Sequence, residues 1–186
     1  MRADKVFDAA GEKPLLLVDI DGVISLFGAP PSGAAGSLPV EGSFHSIEGI
    51  PHFLSATAAR HLLELASLYD LVWASGWEER ADEHLPHLLG LPARLPFLRF
   101  DRDVGGRERA GGAGRHGRAH WKLAAIDTYA GARPLAWIDD AHNDECRRWA
   151  GARAAPTLLV ATEPELGLTR REALALQSWA RSLAAR

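Results

Sequence analysis

The sequence predicts an α/β fold of three layers, Rossmann-like, with a central parallel sheet and helices on both faces. Short, continuous apolar runs alternate along the chain with longer stretches of helical spacing, the signature of strands crossed over by helices. The composition, 47% hydrophobic and 24% charged, supplies enough apolar material for a sizeable core. Acidic residues stand directly behind the apolar runs, at the carboxyl ends of strands, where such sheets bind ligands.

The elements follow in order. Residues 15–20 form an apolar run rich in Leu, Val and Ile and predict the first strand. Residues 26–54 are rich in Gly, Pro and Ser and exceed an ordinary strand-to-helix loop, so they are expected to be functional, as a flap or small cap insertion with a short hairpin around residues 42–47. Residues 55–69 put Ala59, Leu62, Leu63 and Ala66 on one helical face. Further strands are expected at residues 71–74, 97–100, 135–138 and 157–160, because each run is short, apolar and β-branched or aromatic. Helices are expected at residues 78–89, 121–129, 144–150 and 170–184. Residues 101–118 carry six glycines and five arginines and predict a loop.

At 186 residues the chain is expected to be a single domain spanning residues 1–186. A formal net charge of −3 gives the whole molecule no pull toward nucleic acid or membrane surfaces. One cysteine, Cys146, excludes an intramolecular disulfide and favours a reducing compartment. The apolar run at residues 15–18 is broken by Asp19, so neither a signal peptide nor a membrane span is expected, and the default location is the cytoplasm.

The chemistry gathers at strand ends. The first strand finishes in Asp19-Ile20-Asp21-Gly22, the second in Ser75-Gly76, and the run at 135–138 in Asp139-Asp140. Lys122 lies near a helix start between the last two. Strand periodicity puts Asp19 and Asp21 on one side and Ile20 on the other. Four carboxylates converging on one crevice require a cation, and hard oxygen ligands of this kind suit Mg²⁺.

Together these segments resemble the four motifs of the haloacid dehalogenase (HAD) superfamily: Leu16-Leu17-Val18-Asp19-Ile20-Asp21-Gly22-Val23, then Leu71-Val72-Trp73-Ala74-Ser75, then Lys122, then Ala136-Trp137-Ile138-Asp139-Asp140. The resemblance implies a HAD-like fold and a Mg²⁺-dependent phosphatase. Asp19 would attack phosphorus to give an aspartyl-phosphate, and Asp21 would serve as acid and then base. Ser75, with Gly76 and Trp77, would bind the phosphoryl group, and Lys122 would neutralise developing charge. Asp139 and Asp140 would hold Mg²⁺ with Asp19 and the Asp21 carbonyl. The superfamily's carbon–halogen hydrolases lack the second aspartate, so Asp21 points to phosphate chemistry. Both points where the superfamily inserts cap domains hold only modest segments here, which implies no large cap and a site open to a bulky phosphate. Trp73-Ala74-Ser75-Gly76-Trp77-Glu78-Glu79 and Trp137-Ile138-Asp139-Asp140 are similar to the HAD domain of "Swiss Army knife" RNA-repair proteins. That makes a nucleic-acid end a candidate substrate, with Arg102, Arg107, Arg109, Arg115 and Arg118 as candidate phosphate contacts.

Plainer readings compete with these. An EF-hand is excluded because Gly22 comes two places early and the final glutamate position is Pro30. Ser75 with Glu78 also reads as a capping box, a role compatible with phosphate binding at a helix start. A nucleophile elbow is excluded because Trp73 stands where glycine is needed. A lone lysine is usually a surface charge, yet Lys122 is the only lysine beyond Lys13 in a chain that otherwise uses arginine. Asp139-Asp140 could also cap a helix, and Asp144 reads as a surface residue. The eight histidines, including the pairs His84/His87 and His116/His120, carry no zinc pattern. Trp77 and Trp121 flank site residues and serve either the core or a substrate base. Two alternatives to a phosphatase remain: a receiver-like domain that accepts phosphate for signalling, and a catalytically idle phosphate-binding module.

Overall fold

The computed structural model describes residues 13–28, 40–100 and 119–185. The Gly/Arg-rich loop at 101–118, with its five arginines and His116, lies outside the described residues, as do the side chain of His120 and part of the 26–54 insertion.

A four-stranded parallel sheet forms the centre, in the order β5-β1-β6-β7, from β1 (Leu15–Val18), β5 (Asp70–Trp73), β6 (Leu135–Asp139) and β7 (Thr157–Ala161). Every residue of β1 and β6 is buried, as a strand covered on both faces must be. Alternation then divides the core. Leu16, Val18, Leu71, Trp73, Ala136 and Ile138 face one layer, which holds α1 (Ala56–Leu65), α2 (Arg80–Leu89) and α5 (Arg170–Ala184). Leu15, Leu17, Val72, Ala74, Leu135 and Trp137 face the other, which holds α3 (Leu123–Ala130) and α4 (Asp144–Ala152). A 3-10 helix at Ala119–Lys122 leads into α3.

The insertion builds a second sheet, antiparallel, in the order β2-β4-β3, from β2 (Ser25–Leu26), β3 (Gly42–Ile47) and β4 (Ile50–Ser55). The expected hairpin is therefore longer than residues 42–47. Its two-residue turn, Glu48-Gly49, has φ of 51° and 80°, the doubly left-handed conformation that matches strand twist. Ile47, Leu54 and Ile24 join the core of the first layer. Among the described residues no large cap stands over the sheet.

Two expectations are corrected. Residues 97–100 make a single parallel bridge, Trp73 to Phe97, rather than a strand. Pro96 has no N–H to give a ladder, and the Phe100 N–H goes to Glu78 Oε1 at 3.1 Å. The Ser75–Glu78 capping box does not form: α2 starts at Arg80 behind Glu79, with no side-chain cap. Glu78 is spent on Phe100 and sits at φ 48°.

Candidate active site

The register makes the site. Val18 lies opposite Trp73 on one side and Ile138 on the other, so Asp19, Ser75 and Asp139 emerge from three adjacent strands at the same edge. The Asp19 N–H continues the ladder to Ile138 O at 3.0 Å, and the Ala74 N–H reaches Val18 O at 2.8 Å.

Lys122 ties the edge together. Its Nζ is 2.8 Å from Asp19 Oδ2 and 2.6 Å from Asp139 Oδ2, and the residue is only 3% exposed. The remaining oxygens are anchored on backbone: Asp19 Oδ1 accepts from the Ile20 N–H at 2.8 Å, and Asp139 Oδ1 from the Ala141 N–H at 2.9 Å. Asp140 completes a group in which carboxylate oxygens of Asp19, Asp139 and Asp140 lie within 4.8 Å of one another. Gly22, at φ 73°, is required beside them, because a Cβ there would stand 2.5 Å from Asp140 Cγ. Thr162, at the end of β7, donates its hydroxyl to Gly22 O at 2.9 Å and holds that loop down.

The charge balance is acid-heavy. Burial pushes the Asp19 carboxyl up, Asp139 adds to this, and Lys122 opposes it. Asp140 is pushed up to about 7 by burial and then by Asp139 and Asp19. Burial works to lower the Lys122 ammonium, but the charges of Asp19 and Asp139 outweigh it and hold it above its usual range. One lysine thus leaves the cluster short of positive charge. An all-oxygen donor set of this size, raised for want of a counter-charge, fits Mg²⁺.

Asp21 stands apart from the trio. Its Oδ2 accepts from the Trp77 indole N–H at 3.0 Å, and burial, then Asp19, raise its pKa. Trp77 therefore uses its one polar atom on Asp21 rather than on a substrate. Ser75 is buried at the end of β5, while Gly76 beside it is exposed. The Trp121 ring comes near, its Cη2 3.9 Å from where a Gly76 Cβ would be and its centroid 5.4 Å from Lys122 Nζ. Asp144 is exposed and paired with Arg147, away from the trio.

Sequence reasoning missed His52, on β4. Its Nδ1 is 2.8 Å from Ser25 Oγ and its ring meets Trp77 edge-on at 5.0 Å. A histidine inside an irregular insertion carries no periodic or motif signal. Thr162 was missed because it acts through a backbone carbonyl of a distant loop, which no local pattern marks, whereas Trp77 stood out by its place after Ser75-Gly76.

Residues 15–173 match the family model described as the HAD domain in Swiss Army Knife RNA repair proteins. The chain belongs to this family, and so to the hydrolases of the HAD superfamily. Among curated proteins no match is found.

Proposed function

We propose that this domain is a Mg²⁺-dependent phosphomonoesterase that works through a phosphorylated Asp19. The observation that carries the reading is the buried Lys122 bridging Asp19 and Asp139. Removing a lysine and two aspartates from water is costly, and a purely structural core gains more from apolar residues, so the arrangement favours chemistry on an anion.

Asp19, Asp139 and Asp140 would hold Mg²⁺, with the Asp21 carbonyl as a further ligand; when bound, the ion neutralises charge on the phosphoryl oxygens and on the nucleophile. Asp19 Oδ2 attacks phosphorus, and Lys122 beside it opposes the effect of burial and aims it. Ser75 and the exposed Gly76 backbone orient the phosphoryl oxygens. Asp21, raised by burial, gives its proton to the leaving oxygen and then takes one from the hydrolytic water.

Among the described residues nothing caps the edge, which suits a bulky ester. Trp121, 48% exposed beside Gly76 and Lys122, offers a stacking face to a base next to the phosphate, and the family's RNA-repair description favours a nucleic-acid end as substrate.

Phosphate release from an aryl phosphate tests the reaction. Activity should vanish with chelator and with Asp19→Asn, and a 3′- or 5′-phosphorylated oligonucleotide should outcompete the aryl ester. Turnover that survives Asp19→Asn removes the assigned nucleophile.

A further inference from the structure

We propose that Trp77 and His52 are positioning residues for Asp21, aligning its carboxyl so that one defined oxygen meets the leaving group. The inference rests on the phosphatase reading above.

The argument begins with the indole. A tryptophan N–H can donate but never accept, so Asp21 Oδ2, 3.0 Å away, must be the accepting oxygen in either charge state. When Asp21 is protonated, the carbonyl oxygen is the better acceptor, so the indole facing Oδ2 favours the proton on Oδ1. Trp77 thus selects which oxygen delivers it. The indole is itself held. The His52 ring packs edge-on against it, with centroids 5.0 Å apart and planes at 73°. The His52 Nδ1 is in turn hydrogen-bonded to Ser25 Oγ at 2.8 Å. Ser25 closes the loop, because its carbonyl accepts the Gly22 N–H at 2.7 Å, one residue past Asp21. Asp21, Trp77, His52 and Ser25 form a closed ring of contacts drawn from three segments of the chain.

One further contact and one strained turn stiffen the ring. Arg80 at the start of α2 pairs with Glu48 at the hairpin tip at 2.8 Å, joining the sheet that carries His52 to the turn that carries Trp77. That turn contains Glu78 at φ 48°, a conformation a non-glycine residue adopts only when its surroundings impose it. The insertion sheet thus reaches beneath the acid instead of merely flanking the site.

The step served is balanced as follows. A bond forms between Asp19 Oδ2 and phosphorus while the bond from phosphorus to the ester oxygen breaks. The electron pair stays on that oxygen, which takes the proton from Asp21 Oδ1. Water then attacks phosphorus, gives its proton back to Asp21, and releases the Asp19 carboxylate. Misaligning Asp21 harms the first step in proportion to how badly the leaving oxygen needs a proton. An alkyl ester needs it; a nitrophenyl ester hardly does.

The experiment compares kcat/KM for 4-nitrophenyl phosphate and for an alkyl phosphate in the wild-type protein, Trp77→Phe, His52→Ala and the benchmark Asp21→Asn, with thermal melting to verify folding. For Trp77→Phe the loss on the alkyl ester should exceed that on the aryl ester by about tenfold, part of the 10²–10⁴ that a general acid supplies. His52→Ala should shift the same ratio by less, and Asp21→Asn by more. Equal losses on both esters in the folded variants overturn the assignment and leave the phosphatase reading intact. If Trp77→Phe does not fold, the ratio for His52→Ala decides alone. Wild-type protein that turns over neither ester overturns the phosphatase reading and this assignment with it.

Discussion

Lys122 is held between two carboxylates on the last residue of a 3-10 helix, and both partners lie on strands that reach the site from other parts of the chain. Taking away one member of a buried ion cluster leaves the others uncompensated, at a cost of about 3–5 kcal/mol. Lys122→Met in chelator should lose about that much stability in urea denaturation, and a change below 1 kcal/mol would show that the lysine is not anchoring the edge. This residue was legible because the chain otherwise spends arginine for positive charge. Asp19, Asp21, Asp139 and Asp140 were legible because each follows an apolar strand. His52 was not, since its role depends on the register of a hairpin whose pairing no local pattern specifies.

At the scale of elements, two similar sequences behave differently. Ser75-Gly76-Trp77-Glu78 has the spacing of a capping box and does not form one, because Glu78 is claimed by the Phe100 N–H. Thr169-Arg170-Arg171-Glu172 has the same spacing and forms it, with Thr169 Oγ1 accepting from Arg171 N at 3.2 Å and Glu172 Oε2 accepting from Thr169 N at 3.1 Å. Tertiary demand decides between them, which is why local spacing alone misled at the first. Thr169→Ala should cost about 1 kcal/mol, read as a lower urea midpoint at unchanged slope. Burial works to raise the Glu172 carboxyl, but hydrogen bonds from Thr169 and Arg171 outweigh it and hold it below the usual range. A depressed acid stabilises the fold above its unfolded value and loses that contribution as pH falls through the native one, so the cap weakens only in acid below about 4.5. The five helices were legible from their apolar faces, with α5 matching residue for residue. The run at 97–100 was misread because apolar character says nothing of where its N–H groups go: Leu98 reaches the edge of β5, but Phe100 turns to Glu78.

For the molecule as a whole, the acidic edge sets how stability responds to pH and metal. Asp140 is raised to about 7 in the folded protein. The native state therefore binds more protons than the unfolded chain between about 4 and about 7, and stability falls as pH rises through that window. In chelator the melting temperature should drop across this range, and Asp140→Asn should flatten the drop. Added Mg²⁺ should raise the melting temperature more at pH 8 than at pH 5.5, since it binds the ionised native cluster and competes with protons. Equal Mg²⁺ shifts at both values would show that Asp140 is not part of the metal site. The parallel topology behind this edge was legible from the alternation of elements, while the second sheet was only partly so, β2 being two residues long.

Of the six tryptophans, Trp73, Trp77 and Trp137 are buried and Trp149 and Trp179 half-buried, whereas Trp121 opens to solvent at the mouth of the crevice. Its indole consequently serves as a built-in optical reporter. Acrylamide should quench Trp121 most strongly, and an occupant stacked beside Lys122 should shield it, a protection that disappears in Trp121→Phe while the quenching of the other five rings stays unchanged. Occupancy of the crevice can thus be titrated by light with the unlabelled wild-type chain, whether or not the occupant is ever turned over.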